Sequence, residues 1–361
     1  MRSATIAYFI TDHGFGHASR SAAVMAALER MVPEVRFELF TTSPRWLYED
    51  SLANIFGYHS VQTDVGLVQL SPLDEDLEAT CRALQKWLPF EEALIQQLAD
   101  QVNRLGCRLV MCDISALGIA VARKAGVPSV LVENFTWDWI YAAYGEMFPE
   151  MVGFSNDLNE QYDQADMHIQ TEPLCNDVEG AIRLAPISRS PRTPPSIIRD
   201  QLSIPSHAKM VLVSMGGVPD RFRFLEQLPE AIAPFIVIPG CDRPAVSHRK
   251  VIQLPAHSRF YHPDLLAAAD LLIGKAGYST VAEAYHAGVP FGYVARSQSP
   301  ESHALEQFIE THMVSRPISA ETYSDGRWLQ KLPELLDLRK KINGEENGAD
   351  KAARLIADQY L

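Results

Sequence analysis

Cysteine is scarce in this chain and falls into no pattern. Of 361 residues five are cysteine, Cys81, Cys107, Cys112, Cys175 and Cys241, and no two form a C-x-x-C pair. An odd number without paired spacing argues against a disulfide framework and against a structural zinc site. Cys107 and Cys112 lie in a strand-like run and are expected as buried thiols. Positive charge is also short: 32 Lys and Arg stand against 45 Asp and Glu, a formal net charge of −13. Nucleic acid is therefore not an expected partner, and charge-driven docking on an anionic membrane is disfavoured. No apolar run approaches the length of a transmembrane segment. Residues 1–11 lead straight into a glycine turn without a signal-peptide layout, so a reduced, cytoplasmic protein is expected. Two nucleotide motifs are missing as well. No Lys-Ser/Thr pair follows a second glycine at P-loop spacing, and no GxGxxG fingerprint follows the first strand.

What is present is an ordinary globular composition, 47% hydrophobic, in a chain long enough for two domains. Residues 4–10 read as a strand, 12–17 as a glycine turn, 18–31 as a helix and 35–40 as a second strand. That start predicts a parallel sheet with helical crossovers. Residues 73–105 are mostly helical in pattern with a break near Pro89. Strands are expected at 109–112, 129–132, 167–170 and 182–185, with a helix over 114–125. Residues 186–195 hold four prolines, three Ser or Thr and two arginines, and mark a stiff linker near 186–199. A second cycle follows, with strands at 210–213, 235–238, 251–254, 271–273 and 291–294. Two doubly wound domains would hold a ligand at the carboxyl ends of their sheets, in a cleft where they face each other.

The most informative stretch is 274–290, Gly-Lys-Ala-Gly-Tyr-Ser-Thr-Val-Ala-Glu-Ala-Tyr-His-Ala-Gly-Val-Pro. Gly274 and Gly277 are expected to turn the chain tightly after a buried strand. Ser279 and Thr280 are expected to cap a helix over 281–287. A fresh helix N-terminus offers free N–H groups and a positive dipole end to an anion, most often phosphate. Glu283, one turn in, could accept hydrogen bonds from a ribose, and Lys275 could add charge. The same residues also fit a plain strand-to-helix turn. Gly216 and Gly217, after the first strand of the second cycle, allow close backbone approach to a diphosphate or simply make a turn.

In the first half, His17 closes the glycine turn at the start of a helix, where the dipole favours the neutral imidazole a general base needs. His13 is a second, less well placed candidate. Asp113 follows a strand and could orient His17, or cap the next helix, or both. Trp137 and Trp139, in the aromatic run 134–141, could stack on a sugar or an apolar acceptor, or belong to the core. Glu301 and His303 open another helix and could bind sugar hydroxyls or stand exposed.

These residues carry a resemblance. Residues 274–290 with the segment around Glu301 resemble the donor-binding region of GT-B glycosyltransferases, and Gly14-Phe15-Gly16-His17 resembles their N-terminal glycine–histidine loop. Residues 109–113, followed by 120–128, resemble the Asp-bearing segment of the family 1 UDP-sugar transferases. His13-Gly14-Phe15-Gly16-His17-Ala18-Ser19-Arg20 and the run 134–141 are similar to the glycosyltransferase-like N-terminal region of plant L-arabinokinases; the sugar kinase domain of those proteins is missing here. Together the matches reach from near residue 4 to about 311.

The resemblance implies a GT-B fold of two Rossmann-like domains. It gives an acceptor domain over 1–188, a donor domain over 189–345, and a C-terminal helix over 346–361 packing back on the first. It implies transfer from a nucleotide sugar, UDP-linked, to an acceptor hydroxyl, without metal and with inversion. His17 would be the base, supported by Asp113. Gly216, Gly217, Lys275, Gly277, Tyr278, Ser279, Thr280 and Glu283 would hold the donor. His13, Gly14, Phe15, Gly16, Trp137, Glu301 and His303 would line the substrate. No cofactor is implied beyond the donor as co-substrate, and homo-oligomer formation is left open. The Asp-Gln pair that many family 1 enzymes use on the donor sugar is replaced by Pro300-Glu301-Ser302-His303. The rival readings are a nucleotide-sugar hydrolase or epimerase on this scaffold, and a non-catalytic nucleotide-sugar-binding protein.

Overall fold

The structure is a computed structural model that describes residues 4–70, 74–216, 222–228, 232–241, 249–295 and 299–361. It divides into two compact units, the first made of residues 1–70, 74–187 and 346–361, the second of 71–73 and 188–345.

The first unit is built on a seven-stranded sheet. Its strands are β1 (Thr5–Ile10), β2 (Arg36–Thr41), β3 (Gly57–Ser60), β4 (Cys107–Asp113), β5 (Ser129–Glu133), β6 (Met167–Thr171) and β7 (Ile182–Leu184). They lie in the order β3-β2-β1-β4-β5-β6-β7, and every pair is parallel. Helices on both faces explain why β1, β4 and β5 read as nearly unbroken apolar runs. Side chains still alternate between the faces. Ile6, Tyr8, Val130 and Val132 join one core, and Ala7, Phe9, Val110 and Leu131 join the other. On the second face the helix Ala116–Ala125 presses close. A Cβ on its Gly118 would stand 2.6 Å from Cys112 Sγ and 2.7 Å from Phe9 Cβ.

On the first face, the helix Phe15–Met31 packs against the C-terminal helix Gly348–Tyr360. Alanines at 18, 22, 349, 352 and 353 are buried there and let the two helices approach closely. Asn347 caps the C-terminal helix by accepting from the Ala349 N–H at 2.9 Å.

The second unit carries a six-stranded sheet. Its strands are β8 (Met210–Ser214), β9 (Phe235–Ile238), β10 (Val251–Gln253), β11 (Leu271–Lys275), β12 (Phe291–Val294) and β13 (Ser315–Pro317). The order is β10-β9-β8-β11-β12-β13, again all parallel. In both sheets the strand order thus reverses beside the first strand, between β1 and β4 and between β8 and β11. Ligands of open α/β sheets bind outside the strand ends at such switch points.

The units share a small device. The helices Ala116–Ala125 and Tyr278–Ala287 each end on a left-handed glycine, Gly126 (φ 72°) and Gly288 (φ 64°). In both, the words Ala-Gly-Val-Pro lead from the helix into the next strand.

Several boundaries differ from the sequence expectation. The first helix begins at Phe15, not at residue 18, because Gly14 with φ 77° supplies its N-cap. Residues 195–199 of the expected linker fall in the helix Pro195–Gln201, in which proline takes the first-turn position it tolerates. Strands β3 and β13 were not anticipated from the sequence.

Candidate functional site

In the first unit, β1 and β4 are neighbours, with Ile10 paired to Asp113. The chain leaving β1 turns at Gly14 and starts its helix, which carries His17 to the end of β4. There the His17 Nδ1 lies 2.7 Å from Asp113 Oδ1. Asp113 is fully buried. Burial pushes its pKa up, but the Arg20 guanidinium and then His17 outweigh that, and the carboxyl sits below the usual aspartate value. An ionised carboxylate only accepts hydrogen bonds, so His17 donates from Nδ1, and the neutral ring then has its lone pair on Nε2.

Asp113 has further donors. Arg20 Nη2 reaches Oδ1 at 2.7 Å, Arg20 Nε reaches Oδ2 at 2.8 Å, and Ser21 Oγ donates to Oδ2 at 3.1 Å. Arg20 Nη1 also donates to Asn134 Oδ1, at the end of β5, at 2.5 Å. The capping role considered for Asp113 belongs to Ser115, whose Oγ accepts from the Gly118 N–H at 3.3 Å. Between them Ile114 takes φ 46°. A β-branched residue is strained in that region and persists only where its surroundings hold it. Here the Tyr162 hydroxyl donates to the Ile114 carbonyl at 2.7 Å.

The other residues of the loop lie around this pair. Phe15 meets Trp46 edge to face, and His13 meets Trp137 in the same way at 5.1 Å. Phe135 sets its ring against His17 at 5.8 Å. Trp137 is corrected here: at 1% exposure, stacked on Tyr141, it packs the core instead of offering a face to a ligand. It lines a narrow cavity with Asp64, Trp87, Phe90, Tyr141 and Tyr162.

Asp64 Oδ1 accepts from Thr11 Oγ1 at 2.7 Å, while its Oδ2 is buried without a hydrogen bond. Burial raises its pKa to about 7, with the Thr11 hydrogen bond opposing in part and Asp12 adding to the rise. The folded state therefore holds this proton over a pH range in which the unfolded chain has lost it. The contribution of Asp64 to stability should fall as pH rises from about 4 to about 7 and level off above that. Asp64→Asn is expected to flatten this slope and to melt higher than the parent at pH 8. Melting curves of parent and variant at several pH values check it, and a difference between the two that does not change with pH would contradict it.

In the second unit the segment around 274–280 is arranged differently from the expectation. Gly274 is not in a turn. It is the fourth residue of β11, paired with Ser214, and a Cβ there would stand 1.9 Å from the Ser214 carbonyl oxygen. The helix begins at Tyr278 with Gly277 as N-cap, so Ser279 and Thr280 lie in its first turn and do not cap it. Gly216 takes φ 76°, and a Cβ there would meet the Lys275 side chain at 3.5 Å. The glycine loop after β8 and Lys275 at the end of β11 thus meet at the switch point. Gly217 lies outside the described residues. Glu301 is buried as the residue before the helix Ser302–His312, and His303 is exposed in that helix.

Glu283 is buried and held from two sides. Its Oε1 accepts from Arg189 Nε at 2.9 Å and its Oε2 from His262 Nδ1 at 2.8 Å. Burial would raise its pKa, but Arg189 first and His262 next bring it below the usual glutamate value. His262 Nε2 lies 3.2 Å from Ser214 Oγ, a hydrogen bond that the neutral ring, donating from Nδ1 to the carboxylate, accepts. Arg189 and His262 were not singled out from the sequence. They sit 94 and 21 residues from Glu283, and no local pattern joins them.

No family model matches the chain. It is similar to the L-arabinokinase of Arabidopsis thaliana, 26% identical over 370 residues, which covers 98% of this chain and 34% of that protein. The chain thus spans about a third of that relative's length. It is also similar to an uncharacterized glycosyltransferase of Methanopyrus kandleri, 23% identical over 277 residues, 71% of this chain and 77% of that one. Among solved structures, Acinetobacter baumannii MurG matches with TM-score 0.57 and 16% identity, over 99% of this chain and 100% of that one. Phytolacca americana UGT2, complexed with UDP-2fluoro-glucose and pterostilbene, matches with TM-score 0.61 and 12% identity, over 99% and 100%. Among the described residues no helix is long and apolar enough to cross a membrane. With two parallel α/β sheets, their order and these structural likenesses together, the chain has the GT-B fold.

Proposed function

We propose that the protein transfers a sugar from a nucleotide sugar, UDP-linked, to an acceptor hydroxyl, with inversion and without a metal ion. The observation that carries this reading is the buried His17–Asp113 pair at the switch point of the first sheet, in which Nδ1 faces the carboxylate and Nε2 is the ring nitrogen that does not. In this scheme Nε2 takes the proton of the acceptor hydroxyl. The acceptor oxygen forms its bond to the anomeric carbon as the bond from that carbon to the diphosphate breaks, and the electron pair leaves with the diphosphate.

The second unit supports donor binding. Gly216, Lys275 and the helix Tyr278–Ala287 gather backbone N–H groups, one cation and a positive dipole end at a single sheet edge. These groups would stabilise the departing diphosphate electrostatically. Glu283, held rigid by Arg189 and His262, has a second lone pair on each oxygen for ribose hydroxyls.

Calorimetric titration with UDP, GDP, dTDP and ADP tests the donor half. Selective binding of one nucleotide is expected, weakened by at least about tenfold, ~1.4 kcal/mol, in Glu283→Ala. Glu283→Gln serves as the milder companion. A variant that binds as tightly as the parent would remove Glu283 from the donor site. Product analysis without acceptor separates transfer from hydrolysis, since only a hydrolase releases free sugar at full rate under those conditions.

A further inference from the structure

Arg20 enters the sequence motif only as its last letter, yet it donates three of the first site's side-chain hydrogen bonds. It sits three residues after His17 on the same helical face. It is 1% exposed and bridges two strand ends. Its Nε and Nη2 grip both oxygens of Asp113 at the end of β4, and its Nη1 grips Asn134 just past β5. Asn134 leads directly into Phe135, whose ring stands against His17.

We propose that Arg20 is the positioning residue of the base: by clamping both oxygens of Asp113 it dictates that His17 carries its ring proton on Nδ1 and presents a bare Nε2. This rests on the reading of His17 as general base.

Arg20 Nη2 also lies 3.1 Å from His17 Nδ1. Both nitrogens are donors there, so this is a contact of neighbours on Asp113 Oδ1 and not a third bond. Without the guanidinium, Asp113 would be a carboxyl in a dry site with only His17 and Ser21 as partners. Burial already pushes its pKa up, and Arg20 is the largest influence holding it down. A protonated Asp113 would donate to Nδ1 and move the ring proton to Nε2, the nitrogen that has to accept. That is the wrong-tautomer failure, which costs about 10⁴-fold in a serine protease whose aspartate is made an amide. The groups that face Asp113 are few. They are His17, Arg20 and Ser21 from the first helix, Tyr8 from β1 and Cys112 from β4, with Tyr48 and Asp64 near enough to feel its charge. Arg20 is the permanent cation in that set.

The test is the ¹⁵N spectrum of the His17 ring in the full chain, with His17→Ala to assign it. The parent should show the proton on Nδ1. Arg20→Met should show it on Nε2 at neutral pH, returning to Nδ1 as pH rises and Asp113 ionises. Arg20→Lys keeps a cation against Asp113 and should keep the Nδ1 proton, which rules on the proposal even if Arg20→Met does not fold. Where transfer is measured, Arg20→Met should lose about 10³-fold in kcat with little change in donor KM, and Arg20→Lys should recover most of it. An unchanged Nδ1 proton in Arg20→Met, or its loss in Arg20→Lys, overturns the proposal. The spectrum needs no turnover, so a correct tautomer pattern in a chain without transfer activity would fault the functional reading and leave the role of Arg20 standing.

Discussion

His17→Ala is expected to cut sugar transfer by about 10²- to 10⁴-fold, the usual share of a general base, and to leave nucleotide affinity unchanged. The two halves of that expectation come from different units. His17 belongs to the first, held at 2.7 Å from a buried, ionised Asp113. The nucleotide groups named above, Gly216, Lys275, Glu283 and the helix Tyr278–Ala287, all belong to the second. Removing the imidazole leaves Asp113 bonded to Arg20 and Ser21, so the site should not collapse. Asp113→Ala is a harsher change. It strands a buried guanidinium, and breaking one side of a buried pair costs about 3–5 kcal/mol. Loss of activity in that variant would therefore mix chemistry with folding, which makes His17→Ala the cleaner probe. Transfer rate and calorimetric affinity, measured on one preparation, check both halves. Undiminished transfer in His17→Ala would sink the base assignment.

Gly274→Ala should be the most damaging single methyl group in the second unit. The added Cβ would lie 1.9 Å from the Ser214 carbonyl oxygen, 2.9 Å from its carbonyl carbon and 3.3 Å from its nitrogen. These are backbone atoms of the neighbouring strand, so no rotamer change can make room. Overpacking costs typically about 1–3 kcal/mol and occasionally more, and a backbone clash inside a parallel pair belongs at the upper end. For a unit of this size that corresponds to a drop of roughly 6–12 °C in Tm. Ser214 also accompanies His262 and Glu283, so nucleotide binding should weaken even where the variant folds. Gly277→Ala provides the contrast. Its Cβ would meet only the end of Lys275, at 3.7 Å, and its φ of −112° is open to any residue. Melting of the two variants side by side checks the assignment, and equal stability would contradict it.

The sequence carried the fold and the first pair well, for physical reasons. Strands buried on both faces announce themselves as apolar runs, and a histidine after a glycine turn can be placed at a strand end without knowing the strand order. Asp113 could be placed in the same way, but whether β4 lies beside β1 could not. That adjacency is what joins residues 96 apart. Arg20 was within reach, since its spacing from His17 puts both on one helical face, yet its partners lie 93 and 114 residues away. The same gap hid Arg189 and His262 from Glu283. Gly274 misled because a glycine after a strand usually signals a turn, whereas here it serves close packing inside the strand. Trp137 was undecided between platform and core because aromatic content says nothing about which faces are covered. Its contacts with His13, Phe135 and Tyr141 cover them.

The most direct test of the account is a screen of nucleotide sugars against an acceptor panel, read by mass spectrometry for a glycoside and by NMR for its anomeric configuration. The account predicts a glycoside of inverted configuration together with free nucleoside diphosphate, formed by the parent chain and not by His17→Ala. Consumption of a nucleotide sugar to free sugar, at the same rate with or without acceptor, would contradict it in favour of hydrolysis. A chain that binds a nucleotide sugar and turns none over would contradict it in favour of a binding protein.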